Sequence, residues 1–183
     1  MKNIILGVTG SIAAYKAAEI AHGLVKLDYN VDVIMTQNAT KFITPLTLQT
    51  LSKHKVYTGM FEKTDVEDIR HISLAKKAGV VVIAPATANI IGKLASGIAD
   101  DMLTTVIMAV LNKPVLICPA MNTAMWENPI VQENIQKLIE KKYLFVEPKD
   151  SVLACGETGK GALAGVEQII EKIKLLTAGA SKK

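Results

Sequence analysis

The chain has 183 residues, half of them apolar but only 4% aromatic, and a formal net charge of +4 at neutral pH. This length is enough for one domain with a full hydrophobic core, which must be aliphatic and rich in alanine. The Lys and Arg residues are scattered, without the basic stripe and aromatic residues that nucleic-acid binding requires, and no segment reaches membrane-spanning length. We therefore expect neither a nucleic acid nor a membrane as a partner.

The two cysteines lie in different settings, Cys118 in an apolar run and Cys155 in a polar, glycine-dense loop. Residues 1–6 indicate a strand rather than a signal peptide, because their apolar run is short and is interrupted by Gly7. Together these features predict reduced thiols and a cytoplasmic location.

The first predicted unit consists of a strand, a loop and a helix. Residues 3–8 form the apolar strand, and the alanine-rich residues 12–27 form the helix, with Ser11 as its expected N-cap. The backbone N–H groups of Gly10, Ser11 and Ile12 would point out of the helix start, where donors and the helix dipole favour a phosphate. The glycines of such a turn can also be purely conformational. The helix is apolar around more of its circumference than one sheet contact requires, which predicts a subunit interface.

Polar residues also follow later predicted strands. The strand 31–35 is followed by a loop that contains Thr36 and Phe42, and the apolar run 80–84 is followed by Pro85-Ala-Thr-Ala-Asn89. Strands and helices alternate along the chain, which predicts a Rossmann-like, three-layer α/β/α fold with a doubly wound, mainly parallel sheet of about six strands. In such folds ligands bind at the carboxyl ends of the strands. The predicted strands are 3–8, 31–35, 55–58, 80–84, 115–118 and 143–146, and the predicted helices are 12–27, 45–51, 71–77, 102–111, 129–141 and 166–176.

The stretch Pro119-Ala-Met-Asn-Thr-Ala-Met-Trp126 follows the fifth predicted strand and contains the only tryptophan. Met121, Met125 and Trp126 are residue types that commonly fill a core. Asn122 is different, because an amide among apolar neighbours needs hydrogen-bond partners. A bound ligand is one such partner, so this stretch is a candidate half-site.

Two further residues carry reactive groups. His71 begins a short predicted helix, where structural capping is the default role for a lone histidine. For Cys155 the alternative role is that of a small buried hydrophobe. Its polar and glycine-rich neighbours, Gly156-Glu-Thr-Gly159, argue against a packed core and favour an active thiol.

Five motifs, each modest alone, occur in one order along the chain. They are Gly7-Val-Thr-Gly-Ser-Ile12, His71-Ile72, Pro85-Ala-Thr-Ala-Asn89, Pro119-Ala-Met-Asn-Thr-Ala-Met-Trp126 and Ala154-Cys-Gly-Glu157. Together they resemble the homo-oligomeric flavin-containing cysteine decarboxylases. The resemblance extends over residues 2–176, so we expect a single flavoprotein decarboxylase domain over residues 1–176 and a C-terminal tail over residues 177–183.

The resemblance implies that the protein binds FMN and is a homo-oligomer. Sites of this family form between the subunits of a trimer, often within a dodecamer built from trimers. No metal is expected. The implied cofactor residues are Gly10, Ser11 and Ile12 near the phosphate, and Thr36, Phe42, Thr87, Ala88, Asn89 and Ala120 around the remainder.

The resemblance also implies a substrate and a role for each reactive residue. In the branch of the family that serves coenzyme A synthesis, phosphopantothenoylcysteine is converted to phosphopantetheine. His71 would be the catalytic base, Asn122 would hold the substrate carboxylate, and Cys155 would donate a proton from a mobile substrate flap. Further substrate contacts are implied for Met121, Ala154 and Lys76, with Lys76 at the phosphate.

The implied chemistry explains why these residue types are needed. Direct loss of carbon dioxide from an N-acylcysteine would leave an unstabilised carbanion, so the reaction needs an electron sink of the kind cofactors supply. By the resemblance, FMN would oxidise the CH2–SH group to a thioaldehyde, the carboxylate would leave as carbon dioxide while its electrons pass into sulfur, and reduced FMN would return the hydride to the enethiol. His71 suits the first step because an imidazole can accept a proton, and Cys155 would supply the final proton.

Three alternatives remain open. A peptidyl-cysteine decarboxylase of the same family would stop at the enethiol, which Cys155 argues against. A flavin prenyltransferase would share the fold but lack the Met-Asn-x-x-Met-Trp motif. A flavin-binding regulatory subunit without turnover is less consistent with His71, Asn122 and Cys155 in one chain. In some relatives the decarboxylase is fused to the ligase that makes its substrate. For this chain we expect a separate polypeptide to supply the ligase step.

Overall fold

The computed structural model describes residues 2–60, 70–152 and 158–179, and a six-stranded parallel sheet forms its centre. The strands are β1 (Asn3–Val8), β2 (Asn30–Met35), β3 (Val56–Tyr57), β4 (Val80–Ala86), β5 (Val115–Pro119) and β6 (Leu144–Phe145). They lie in the order β3-β2-β1-β4-β5-β6, and every neighbouring pair is parallel. The predicted doubly wound sheet is confirmed.

Helices cover both faces of this sheet, which completes the predicted three-layer arrangement. The helices are α1 (Lys16–Lys26), α2 (Pro45–Ser52), α3 (Arg70–Lys77), α4 (Ala88–Ser96), α5 (Met102–Ala109), α6 (Thr123–Trp126), α7 (Pro129–Glu140) and α8 (Val166–Gly179). Side chains alternate between the faces of a strand, so Ile4 and Leu6 of β1 belong to the core cluster with α1 and α8, whereas Ile5 belongs to the cluster with α3, α4, α5 and α7 on the other face.

Local side-chain bonds explain where several helices begin and end. The Thr44 hydroxyl caps α2, whose first residue is Pro45, a position where the missing N–H of proline has no cost. The Asp101 carboxylate caps α5 through the backbone N–H of Thr104 at 2.8 Å. Helix α4 ends at Gly97, whose φ of 71° lies in the left-handed region that favours glycine.

Some element bounds differ from the sequence prediction. The helix predicted over residues 12–27 begins as a 3-10 turn, Ile12–Tyr15, before α1. Helix α4 was not predicted from the sequence, because residues 85–89 were interpreted as a polar loop and this loop contains the N-cap of the helix, Thr87. The last helix continues into the segment predicted as a tail, where Thr177 is buried and its hydroxyl lies 2.8 Å from the Tyr29 hydroxyl.

Part of the predicted glycine loop is a strand. Residues Lys149–Val152 form β7 and Thr158–Ala162 form β8, and the two pair antiparallel as a separate two-stranded sheet. We call this unit the β7–β8 hairpin. Its sequence lacks the alternation of apolar residues that identifies a half-buried strand, so the pattern could not reveal it.

The buried thiol of Cys118 gives a test of this packing. Cys118 lies in β5 with no exposed surface, and burial raises the pKa of its thiol. Because the thiolate is the reactive form, we expect Cys118 to resist iodoacetamide in the folded protein even at mildly alkaline pH, and to react after denaturation. Mass spectrometry of the peptide that contains Cys118 measures the labelling. Fast modification without unfolding would contradict the burial.

Candidate active site

A cavity of about 920 Å³ opens at the carboxyl edge of the sheet. Its walls are the loops that follow β1, β2, β4 and β5, together with the β7–β8 hairpin. Strands β1 and β4 lie side by side at the point where the strand order reverses. This is the topological switch point, where doubly wound sheets bind ligands, and the volume lies toward the upper end of the roughly 300–1,000 Å³ typical of ligand pockets.

The loop after β1 forms one wall of the cavity with its backbone close to the β2 loop. Ser11 caps the 3-10 turn, since its Oγ accepts a hydrogen bond from the backbone N–H of Ala13 at 3.3 Å. A Cβ atom on Gly10 would lie 2.4 Å from the Cβ of Asn38, so only glycine allows the two loops to touch. This contact sets the distance between the two loops at the cavity wall.

A buried threonine joins the loops after β1 and β4. The Thr9 hydroxyl donates to the carbonyl of Pro85 at 2.8 Å and accepts from the backbone N–H of Thr87 at 3.0 Å. Thr87 caps α4 through the backbone N–H of Ile90 at 3.4 Å. Thr9 was missed as a functional residue, although a hydroxyl placed directly after a buried strand is a signal for it.

The loop after β5 places Asn122 at the cavity. The backbone N–H of Ala120 donates to the carbonyl of Ala86 at 2.9 Å, which ties this loop to β4. Asn122 is the N-cap of α6, and its Oδ1 accepts from the backbone N–H of Ala124 at 2.8 Å. Capping uses the amide oxygen, and the amide nitrogen carries donors of the kind that suit a carboxylate.

An ion cluster lies where α4 meets α5. The Lys93 ammonium is 2.7 and 2.9 Å from the two carboxylate oxygens of Asp100, and 3.6 Å from the Asp101 carboxylate. Its hydrogen bond with Asp100 raises the pKa of Lys93 and lowers the pKa of Asp100. Lys93 and Asp101 line the cavity, so this wall carries a cation already neutralised by carboxylates.

The structure gathers most of the predicted binding residues around one cavity. Phe42 is 47% exposed and is not among the described lining residues. Neither are His71 and Lys76, which lie on α3 where that helix packs beside α5. Ala154 and Cys155 lie outside the described residues. The predicted residues that do line the cavity are Gly10, Ser11, Ile12, Thr36, Thr87, Ala88, Asn89, Ala120, Met121 and Asn122.

Other lining residues were not found from the sequence. Gln37 and Asn38 come from the β2 loop, and Lys149, Ser151 and Gly161 come from the β7–β8 hairpin. The hairpin residues are distant in sequence from the motifs they face, and no local pattern connects them. Met121 and Trp126 pack against the core cluster on the α5 face, as expected for packing residues.

The lining fits a flat aromatic ligand with a polar, anionic chain. Apolar side chains of Ile12, Ala88 and Met121 can contact a ring system, and the hydroxyls of Ser11 and Thr36 can bond a polyol or phosphate. Within residues 2–60, 70–152 and 158–179, no group of three His, Cys, Asp or Glu side chains is placed to hold a metal ion. In that same part of the chain, none of the helices combines the length and apolarity needed to cross a bilayer.

The sequence profile of the Flavoprotein family matches residues 1–177. The chain is 52% identical over 174 residues to the probable phosphopantothenoylcysteine decarboxylase of Streptococcus mutans serotype c, covering 94% of this chain and 97% of that protein. It is 49% identical over 170 residues to the coenzyme A biosynthesis bifunctional protein CoaBC of Bacillus subtilis. That match covers 93% of this chain but only 42% of the bifunctional protein.

Solved structures show the same fold. A PPC decarboxylase mutant complexed with pantothenoylaminoethenethiol matches with a TM-score of 0.87 and 32% identity, over 95% of this chain and 97% of that one. The FMN-dependent cysteine decarboxylase SpaF matches with a TM-score of 0.86 and 31% identity, over 99% and 98% of the two chains. The FMN binding protein AtHal3 matches with a TM-score of 0.84 and 33% identity, over 95% of each chain. With the profile match over residues 1–177, these similarities identify the chain as a member of the Flavoprotein family.

Proposed function

We propose that this chain is an FMN-dependent carboxy-lyase that converts phosphopantothenoylcysteine to phosphopantetheine in coenzyme A biosynthesis. The observation that carries the proposal is the convergence of four strand-end loops on one cavity, with Asn122 at its wall. The relative in Streptococcus mutans, matched over nearly its whole length, is named for this reaction. We further propose a cytoplasmic location, which rests on the cysteine settings and on the biosynthetic role.

The chain's own residues would hold FMN across the switch point. The Ser11 N–H is already bonded to the Thr9 carbonyl at 2.9 Å, so the donors for the phosphate would be the backbone N–H groups of Gly10 and Ile12 and the Ser11 hydroxyl. The hydroxyls of Thr36 and Thr87 line the same cavity and would be available to the ribityl chain. Bound FMN supplies a reversible hydride acceptor, which makes the overall decarboxylation redox-neutral. Phe42 does not line this cavity, so we assign it no contact within its own chain.

Asn122 is proposed to orient the departing carboxylate. Its Oδ1 is held by the backbone of α6 at 2.8 Å, which fixes the side-chain amide in one orientation. The Nδ2 group carries the donors that would bind the substrate carboxylate. Fixing the carboxylate also fixes the neighbouring carbons, and such positioning supplies much of the rate in reactions of this kind.

His71 is proposed to act in the cavity of a neighbouring copy of the chain. Helix α3 lies beside α5, and the described lining of the cavity in the same chain lacks His71. Exposed apolar side chains at the cavity rim, Ile12 at 58% and Tyr15 at 53%, favour coverage by another subunit. We propose a homo-oligomer built from trimers, in which α3 of one subunit brings His71, with Lys76 in its last turn, to the next subunit's cavity.

Cys155 keeps its proposed role as the proton donor that completes the reaction, with Ala154 beside the substrate. Both residues lie outside the described part of the chain, between β7 and β8. The described hairpin strands line the cavity through Ser151, Gly161 and Ala162, which supports this role.

Purified protein is expected to show a flavin absorption spectrum and to release carbon dioxide from phosphopantothenoylcysteine. A peptide with a C-terminal cysteine serves as the competing substrate, because a peptidyl-cysteine decarboxylase is the alternative within the same family. Product analysis by mass spectrometry should find phosphopantetheine as the main product. Protein that remains colourless after reconstitution with FMN, or that processes only the peptide, contradicts the proposal.

Gly10→Ala is expected to weaken FMN binding, because the new Cβ would lie 2.4 Å from the Cβ of Asn38 and push two cavity loops apart. Restoring the loop spacing that binds FMN would then cost roughly 1–3 kcal/mol, as overpacking generally does, so the Kd for FMN should rise by about tenfold. Gly92→Ala on α4 is the matched control, since its nearest atom would be 3.7 Å away. Titration of the two apoprotein variants with FMN measures both dissociation constants. Equal affinities would contradict the assigned position of the cofactor.

The subunit arrangement can be tested by mixing two inactive variants, His71→Asn and Asn122→Asp. If His71 acts in a neighbouring subunit's cavity, random mixed oligomers regain about one quarter of wild-type activity, because one site in four then has both intact residues. Co-expression with different affinity tags provides the mixed oligomers, and each variant alone is the control. If His71 acts within its own chain, every site keeps one lesion and the mixture stays inactive.

A further inference from the structure

We propose that Gly159 of β8 is a positioning residue for Asn122. The absence of a side chain at Gly159 lets the β7–β8 hairpin lie directly on the segment Met121–Trp126, and this contact sets where the Asn122 amide points. The inference rests on the proposed function, in which Asn122 binds the substrate carboxylate. It concerns a contact between two regions separated by more than thirty residues of chain.

The hairpin contacts the residue before Asn122 through backbone atoms. The N–H of Met121 donates to the carbonyl of Gly161 at 2.9 Å. A Cβ on Gly161 would lie 2.3 Å from the carbonyl oxygen of Met121, so no side chain fits at this position. The backbone of β8 and the backbone of the Asn122 loop are therefore held together without intervening side chains.

The hairpin also contacts the residue after Asn122. A Cβ on Gly159 would lie 2.5 Å from Oγ1 and 3.0 Å from Cγ2 of Thr123. The Thr123 hydroxyl is buried there without a hydrogen-bond partner among the described residues. A buried hydroxyl without a hydrogen-bond partner is unfavourable, so the packing of β8 against Thr123 has to offset this cost.

A third contact involves the only tryptophan. The Lys160 ammonium lies 5.8 Å from the centroid of the Trp126 ring, within the distance of a cation–π interaction. Lys160 also pairs with Glu147, which precedes β7, at 2.5 Å. Both groups are substantially exposed, so the pair contributes little energy, but it places the Lys160 side chain beside the ring.

These contacts hold Asn122 from both sides. Met121 is bonded to Gly161, Thr123 is covered by Gly159, and the Asn122 side chain is itself tied to the backbone N–H of Ala124. Moving β8 outward would therefore move the amide that is proposed to hold the carboxylate. A displaced amide would bond the carboxylate less well, and loss of a hydrogen bond to a charged group weakens binding by about tenfold or more, so the displacement should appear in KM.

Gly159 is the better residue to substitute, because Gly161 lines the cavity whereas Gly159 is not among its described lining residues. Gly159→Ala would force β8 away from Thr123. Thr123→Ala removes the two atoms nearest to the new methyl group, Oγ1 and Cγ2. The Cβ of residue 123 is then the nearest atom, at 3.2 Å from the new methyl group. The double variant should therefore restore the contact that the single variant breaks.

The experiment measures KM, kcat, FMN content and Trp126 fluorescence for the FMN-loaded wild type, Gly159→Ala, Thr123→Ala and the double variant. We expect Gly159→Ala to raise KM by about tenfold or more with FMN content unchanged, and to make Trp126 more accessible to acrylamide. Thr123→Ala should stay close to the wild type, and the double variant should recover. Gly165→Ala is the matched control, since its nearest neighbour would be the Glu167 carboxylate at 3.8 Å.

The inference is overturned if Gly159→Ala keeps the wild-type KM, or if the double variant is no better than Gly159→Ala. Should Gly159→Ala fail to fold, the double variant decides: wild-type KM supports the contact, and an unfolded or impaired protein contradicts it. A wild-type protein that releases no carbon dioxide would instead reject the proposed function. The acrylamide measurement on Trp126 would then still report whether Gly159 seats the hairpin.

Discussion

The cavity depends on one buried hydroxyl group, that of Thr9, which lies where β1 ends at the switch point of the sheet. It donates to the Pro85 carbonyl at 2.8 Å and accepts from the Thr87 N–H at 3.0 Å, so it fixes the β4 loop against the β1 loop. The Ala120 N–H donates to the Ala86 carbonyl at 2.9 Å and extends the connection to β5. Because these groups are buried, the network is both strong and sensitive to loss of any member.

The sequence predicted the parts of this arrangement that follow from local pattern. Strands β1, β4 and β5 are short apolar runs, as expected for strands buried on both faces, and alternation with helices implied a parallel sheet. Parallel strands present their carboxyl ends at one edge, so polar residues after those strands must converge. That is why the loops that contain Ser11, Thr87 and Asn122, although distant in sequence, could be predicted to meet at one edge of the sheet, while the roles of the individual residues came from the family resemblance.

Other parts depend on contacts that no local pattern encodes. The strand β8 contains Gly159, Lys160 and Gly161, a composition typical of loops, and it is a strand because its backbone pairs with β7 and lies on Met121. The start of the helix that contains His71 was predicted near its observed position. A helix pattern does not say whether that helix approaches the cavity of its own chain or the cavity of another copy. Completion of the site by another copy of the chain is a property of the assembly, and it stays a prediction.

The division of labour within the proposed reaction follows from this geometry. In that proposal, the loops fixed by Thr9 would hold the cofactor, the loop in contact with the β7–β8 hairpin would hold the carboxylate, and bound FMN would supply the hydride acceptor. The most direct test is an anaerobic reaction with phosphopantothenoylcysteine labelled in its cysteine carboxyl group and no added reductant. The account predicts labelled carbon dioxide and phosphopantetheine in equal amounts, with the flavin oxidised at the end. A requirement for external reductant, or accumulation of the enethiol, would contradict it.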